Sequence, residues 1–339
     1  MKIGILSAGG DCPGINAAIR GVAKTAIIKF GMEVIGIASG FTGLITKEYV
    51  NLTESDLSGI LTMGGTILGT SREKPFKSNG NNKNAIPKYQ LIKEHYEQLD
   101  LDCLVCIGGN GTMKTANLLS EEGMNIIGIP KTIDNDVWGT DASFGFDSAV
   151  NIATEAIDRL HSTANSHKRT MVIEVMGHHA GWIALYSGIA GGGDVILIPE
   201  VLYDESKVAD YLLKRVVENK HYSIVVVAEG IQVPDEKKSA GQYIAKKINE
   251  LTGFETRETV LGYVQRGGTP SPADRILATR YGTSAAEYIA NKKFGTMMSL
   301  ENDMIYAIPL KDVAGKIKTV DPQHPIVLQA KLMGTCFGD

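Results

Sequence analysis

Four cysteines in 339 residues are too few for a disulfide framework, and Cys103-Leu-Val-Cys106 has no second pair to complete a zinc site. The same two cysteines lie in an apolar run, so they read as strand packing rather than as ligands. An excess of basic residues is missing as well. The formal net charge is −4, which argues against a nucleic-acid partner while leaving room for a local basic pocket for an anionic small molecule. The apolar start of the chain is too short for a signal peptide or a membrane span. Together these absences point to a cytoplasmic protein in a reducing compartment.

What is abundant is glycine, 38 residues against 11 prolines, bunched between apolar runs as in tight strand-to-helix turns. The segments alternate. Residues 2–8, 32–39, 103–109 and 125–130 read as buried strands, with helices over 14–30, 89–99 and 111–123 among them. A second series follows: a helix over 147–164, then strands at 170–177, 195–200 and 222–230 with helices between. A further long helix begins at Pro272, and the tail beyond it carries little pattern. Continuously apolar strands separated by amphipathic helices mean parallel sheets covered on both faces, so two similar α/β domains are expected.

In open α/β folds, ligands bind beyond the carboxyl ends of the strands. The loops there are 7–14, 64–73, 107–114, 130–136, 174–181, 228–230 and 264–268, and four of them hold glycine doublets. Gly9-Gly10 and Gly108-Gly109 each lie between a strand and a helix N-terminus, where backbone N–H groups suit a phosphate. Neither matches the dinucleotide or P-loop fingerprint. Tight-turn packing is the competing reading. Past the strand ending at Pro130 stands Lys131-Thr-Ile-Asp134-Asn-Asp136. If that loop is extended, both carboxylates project to one side, suited to holding Mg²⁺ and to accepting a proton from a hydroxyl. Thr132 then donates to the transferring group and Lys131 neutralises its charge. Arg72, Arg169, Arg257 and Arg266 at element boundaries suit a phosphorylated substrate, and Glu229 after its strand suits sugar hydroxyls or a cap.

The stretches GGDCPGINAAIRG, GGTILGTSR, PKTIDND, GFDSAVNIATEAIDRL, SHKR, EVMGHHAGW and VLGYVQRGG follow the order seen in the phosphofructokinase family, a resemblance running from residue 2 to about 285. It implies two three-layer α/β domains with mainly parallel sheets. The larger, nucleotide-binding one would be residues 1–145 and 265–318; the smaller, sugar-phosphate-binding one would be 146–264 and 319–339. It implies a homotetramer, Mg²⁺, and phosphoryl transfer to O1 of fructose 6-phosphate. By the same resemblance Asp134 is the general base, with Thr132 and Asp136 its neighbours at sugar and metal. Gly10, Arg72, Gly108, Gly109, Asn110, Gly111, Thr112 and Met113 serve the nucleotide. Met176, Gly177, His178, Glu229, Tyr263 and Arg266 hold the sugar phosphate. Arg169 and Arg257 reach in from an adjacent subunit.

Three positions depart from the family pattern. Asn110 stands where an Asp helps place Mg²⁺, so metal affinity is expected to weaken. His178 replaces an Arg that steadies the phosphoryl group. Gly111 is the residue of ATP users, whereas Lys131 is that of pyrophosphate users. An Asp at 111 would occupy and repel the α-phosphate, whereas Lys131 only adds charge, so ATP is the expected donor. Of the effector positions, Arg20, Lys24 and His161, only one keeps an Arg. The competing readings are a pyrophosphate-dependent enzyme, a kinase for another sugar phosphate, and a non-catalytic regulatory relative.

Overall fold

A computed structural model describes residues 1–77, 86–234 and 239–339. Its strands are β1 (Lys2–Ser7), β2 (Glu33–Ile37), β3 (Tyr49–Asn51), β4 (Cys103–Gly108), β5 (Ile126–Thr132), β6 (Phe144–Gly145), β7 (Thr170–Val175), β8 (Val195–Leu197), β9 (Ser223–Ala228), β10 (Thr256–Val260), β11 (Thr296–Glu301) and β12 (Met304–Pro309). The α-helices are α1 (Ile15–Phe30), α2 (Phe41–Thr46), α3 (Lys88–Gln98), α4 (Asn110–Glu121), α5 (Phe146–His167) and α6 (Trp182–Ala190). They continue with α7 (Glu205–Val217), α8 (Ala240–Thr252), α9 (Pro272–Ala290), α10 (Leu310–Val313) and α11 (Pro325–Leu332).

The described chain divides into two compact units. The first comprises Met1–Thr132, Asp136–Gly145 and Arg266–Ile317. Its sheet runs β12-β11-β5-β4-β1-β2-β3, with β6 beside β5. The pairs joining β2, β1, β4, β5 and β11 are parallel, and only the edge strands β3 and β12 run antiparallel. β4 is buried along its whole length, as its unbroken apolar run requires when helices cover both sheet faces. Cys103 and Cys106 are free and fully buried there, so they pack and do not ligate. α1 and α9 approach closely because a Cβ at Gly282 would stand 2.6 Å from the Ala18 carbonyl; only glycine permits that crossing.

The second unit comprises Ile133–Asn135, Phe146–Gln265 and Lys318–Asp339. Its sheet, β10-β7-β9-β8, is parallel throughout. β7 and β9 are wholly buried between helices. α7 and α8 start where Asp204 and Ser239 cap them, each side chain accepting a backbone N–H two or three residues on.

The weakly patterned tail divides between the units. Asn302 and Asp303, both with positive φ, turn β11 into β12 at the first sheet's edge. Residues 318–339 pack on the second unit, where Cys336 bridges to Val195. These segments are only half buried, and so lack the continuous apolar runs that mark the interior strands.

Candidate active site

In the first unit, α4 begins at Asn110 with Gly109 as its N-cap, and no side chain caps it. Its first N–H groups are therefore presented at the carboxyl end of β4, as an anion site needs. The two glycines of the doublet do different work. A Cβ at Gly108 would lie 2.2 Å from the Thr112 hydroxyl, so that glycine answers packing. At Gly109 the nearest atom is the Lys131 carbonyl at 3.5 Å, and at Gly111 a Cβ would meet nothing within 4 Å. Thr112 is buried with its hydroxyl 3.4 Å from the Ala8 carbonyl, and Met113 lies in the core.

The Gly9-Gly10 turn is tied down by Lys131, whose buried ammonium donates to the Gly10 carbonyl. The Arg266 guanidinium lies against the same glycine, with Nη1 1.7 Å from where a Gly10 Cβ would stand. Arg72 is exposed on the wall of an open cleft of about 730 Å³. The cleft also carries Lys74, Lys77 and Lys88, with Lys88 paired to Glu73 at 2.9 Å. These three lysines were not singled out from the sequence, although Lys74 and Lys77 closely following Arg72 are a visible signal.

The 130–136 loop is not extended. Ile133 and Asp134 form a turn, and Asn135 adopts φ 51°, a left-handed conformation that asparagine tolerates. The same-side projection expected for an extended loop therefore does not apply. Asp134 belongs by its contacts to the second unit, Thr132 and Asp136 to the first. All three are partly accessible. In the first unit Asn110 Nδ2 donates to Asp136 Oδ2 at 2.7 Å and to the Asp136 carbonyl at 3.1 Å. That orientation leaves Asn110 Oδ1 buried without a hydrogen-bond partner. An orphaned hard oxygen beside a carboxylate suits Mg²⁺. Among the described residues no cluster of three or more His, Cys, Asp or Glu stands ready for a metal. Mg²⁺ is compatible with so sparse a set, because it commonly keeps waters and phosphate oxygens as its remaining ligands.

In the second unit, Met176, Gly177 and His178 follow the carboxyl end of β7, and Glu229 follows that of β9. Glu229 Oε1 accepts from the backbone N–H groups of Gly177 (3.2 Å) and His178 (2.8 Å). His178 is exposed, with φ 52°. Its carbonyl would stand 2.0 Å from a Cβ at Gly230, so only glycine fits there. Gln265 Oε1 accepts from the Met176 N–H at 3.3 Å. Tyr263 is largely exposed.

Arg169 and Arg257 do not join this group. One precedes β7 and the other lies near the start of β10, and both strands are parallel to β9. They therefore sit at the amino edge of the sheet, opposite Met176 and Glu229. Of the four arginines read from the sequence as suiting a phosphorylated substrate, these two therefore do not lie with the loops at the carboxyl end of this sheet. Both guanidinium groups are held by Glu255 Oε1 at 2.7 Å, and the Arg169 hydrogen bond pulls the Glu255 carboxyl below its usual range. His161 Nε2 lies 2.6 Å from the Gly191 carbonyl.

A glycine turn, an uncapped helix end, a carboxylate-amide pair and a carboxylate-bearing turn are features of the kind that phosphoryl transfer uses. Residues 2–289 match the family model described as Phosphofructokinase, and the chain belongs to that family. It is 62% identical over all of its length and of its relative's to a Bacteroides thetaiotaomicron protein named ATP-dependent 6-phosphofructokinase 3. A Spirochaeta thermophila protein named ATP-dependent 6-phosphofructokinase is 57% identical, with 99% of this chain and 97% of that one covered. Among solved structures, the phosphofructokinase from Saccharomyces cerevisiae superposes with a TM-score of 0.83 at 31% identity. That match covers 92% of this chain and 45% of the yeast one, so the chain spans under half the yeast subunit.

Proposed function

We propose that the chain is a phosphotransferase that moves the γ-phosphoryl group of ATP to O1 of fructose 6-phosphate, giving fructose 1,6-bisphosphate in glycolysis. The observation that carries this reading is the 132–136 turn, with Asp134 half-buried at its centre and Asp136 paired to an amide whose oxygen is orphaned. Full-length identity of 62% to an ATP-dependent relative supports it.

Asp134 accepts the O1 proton as the hydroxyl attacks. Thr132 donates to the transferring group. The N–H groups at Gly109–Gly111 and the Arg72 side chain hold the nucleotide phosphates, while Thr112 and Met113 support that loop. Met176, Gly177, His178, Glu229, Tyr263 and Arg266 hold the sugar phosphate. Arg169 and Arg257, held together by Glu255 at the opposite edge of their sheet, serve the sugar phosphate of a neighbouring subunit in a homotetramer. Asp136 and Asn110 Oδ1 hold Mg²⁺, which when bound neutralises charge on the phosphates. The enzyme is placed in the cytoplasm. Positioning and charge neutralisation do most of the catalysis, so Asn110 and His178 lower turnover without abolishing it.

The donor is ATP because the space beside Gly111 is open, leaving room for an α-phosphate, while the Lys131 ammonium is turned to the Gly10 carbonyl. The test is formation of fructose 1,6-bisphosphate by the purified protein with Mg²⁺ and either ATP or pyrophosphate. Turnover with ATP is the expected result. Turnover with pyrophosphate alone would reverse the donor assignment, and binding of fructose 6-phosphate without turnover would identify a non-catalytic relative. A faster reaction with another sugar phosphate would move the acceptor.

A further inference from the structure

Lys318 lies in the tail that carried no readable pattern, yet the second unit brings it back to the Asp134 turn. Its ammonium donates to Asn135 Oδ1 at 3.0 Å, and Asn135 is 5% exposed in its left-handed conformation. The Lys318 carbonyl accepts from Trp182 Nε1 at 3.1 Å, while the ammonium stands 5.6 Å from the Trp182 ring. Two residues on, the Val320 N–H donates to Glu200 Oε1 at 2.8 Å. The same carboxylate accepts from the Gly181 N–H, 2.9 and 3.1 Å from its two oxygens, at the start of α6. Residues 318–320 thus form a strap. It grips the turn carrying Asp134 with a side chain and ties it to the end of the 176–181 loop through Trp182 and Glu200.

We infer that Lys318 is the positioning residue for the Asp134 turn, fixing Asn135 and through it the direction of the neighbouring carboxylate. The inference rests on Asp134 acting as the base. A left-handed backbone at 135 favours Gly, Asn or Asp. Asn adds an acceptor, and a charged donor makes the stronger bond to it. A base held by a braced turn needs no reordering when the sugar hydroxyl arrives, so loss of the brace lowers kcat more than substrate affinity.

Three variants test this beside the wild type: Lys318→Met, Asn135→Gly, and the two combined. Glycine keeps φ 51° accessible while removing the side-chain amide that accepts from Lys318. In Lys318→Met, kcat with ATP and fructose 6-phosphate should fall about 10- to 100-fold, with each KM within about twofold. In the Asn135→Gly background the same substitution should cost clearly less than in the wild type, because the hydrogen bond to Asn135 is already gone. Amide hydrogen exchange over residues 133–136 should quicken about tenfold or more in each single variant. Independent effects in the double variant, unchanged exchange, or unchanged kcat in an active enzyme would each overturn the inference. An inactive wild type would instead refute the proposed function, and the exchange measurement would still decide the strap.

Discussion

The side-chain amide of Asn110 donates to the Asp136 carboxylate across 2.7 Å, and its own carbonyl oxygen is left buried and unbonded. An amide at this position does without metal what a carboxylate could not, because it satisfies Asp136 rather than repelling it. Asn110→Asp should therefore destabilise the metal-free protein and bind Mg²⁺ about 3- to 10-fold more tightly through the added charge. Thermal melts across a Mg²⁺ series without nucleotide read both effects. An unchanged Mg²⁺ response would remove both residues from the metal site.

Asp134→Asn retains size and most hydrogen bonding at the turn but cannot take a proton at neutral pH. Turnover should drop about 10²- to 10⁴-fold, with the KM for fructose 6-phosphate within about twofold. Initial rates over both substrate concentrations decide this. A large rise in KM with kcat preserved would make Asp134 a binding residue instead.

Gly10→Ala tests the contact between that glycine and Arg266. The new methyl would fall 1.7 Å from Nη1, so the flexible guanidinium has to swing away. The KM for fructose 6-phosphate should rise about tenfold, the scale of a lost charge-assisted hydrogen bond, and more than the KM for ATP. The reverse order would mean that Gly10 serves the nucleotide alone.

Burial raises the Glu200 carboxyl above its usual value, although the N–H groups of Val320 and Gly181 oppose the shift. The folded chain then holds that proton more tightly than the unfolded one. This contribution to stability is fully present below the ordinary carboxyl value and is lost as pH rises through the raised value. Glu200→Gln lacks this titration. Its melting temperature should gain on the wild type by a few degrees as pH rises from about 4.5 to 7. A constant gap across that range would contradict the shift.

Much of the fold was legible because its causes are local. β4, β7 and β9 are buried on both faces, so each appears as an unbroken apolar run, and the turns between elements announce themselves as glycine doublets. Asp134, Asp136, Arg72 and Glu229 stood out as candidates for the same reason: each follows an apolar or glycine-rich stretch whose place in an α/β fold is predictable. The hairpin at Asn302–Asp303 was missed because its outer strand β12 is largely exposed, and exposed positions take many residue types.

What the sequence by itself determined was the principal buried strands and the helices between them, the α/β class and the residues gathered at the strand ends. Hydrophobic period and turn chemistry act over a few residues and need no partner. Tertiary structure alone decided which of those residues meet. It separated Arg169 and Arg257 from Met176 and Glu229, because parallel strands put preceding and following residues at opposite edges. It gave Gly108 to packing and left Gly111 open. It also carried Lys318 back to Asn135 across 183 positions of chain, a pairing set by how the folded chain returns and marked by no local pattern.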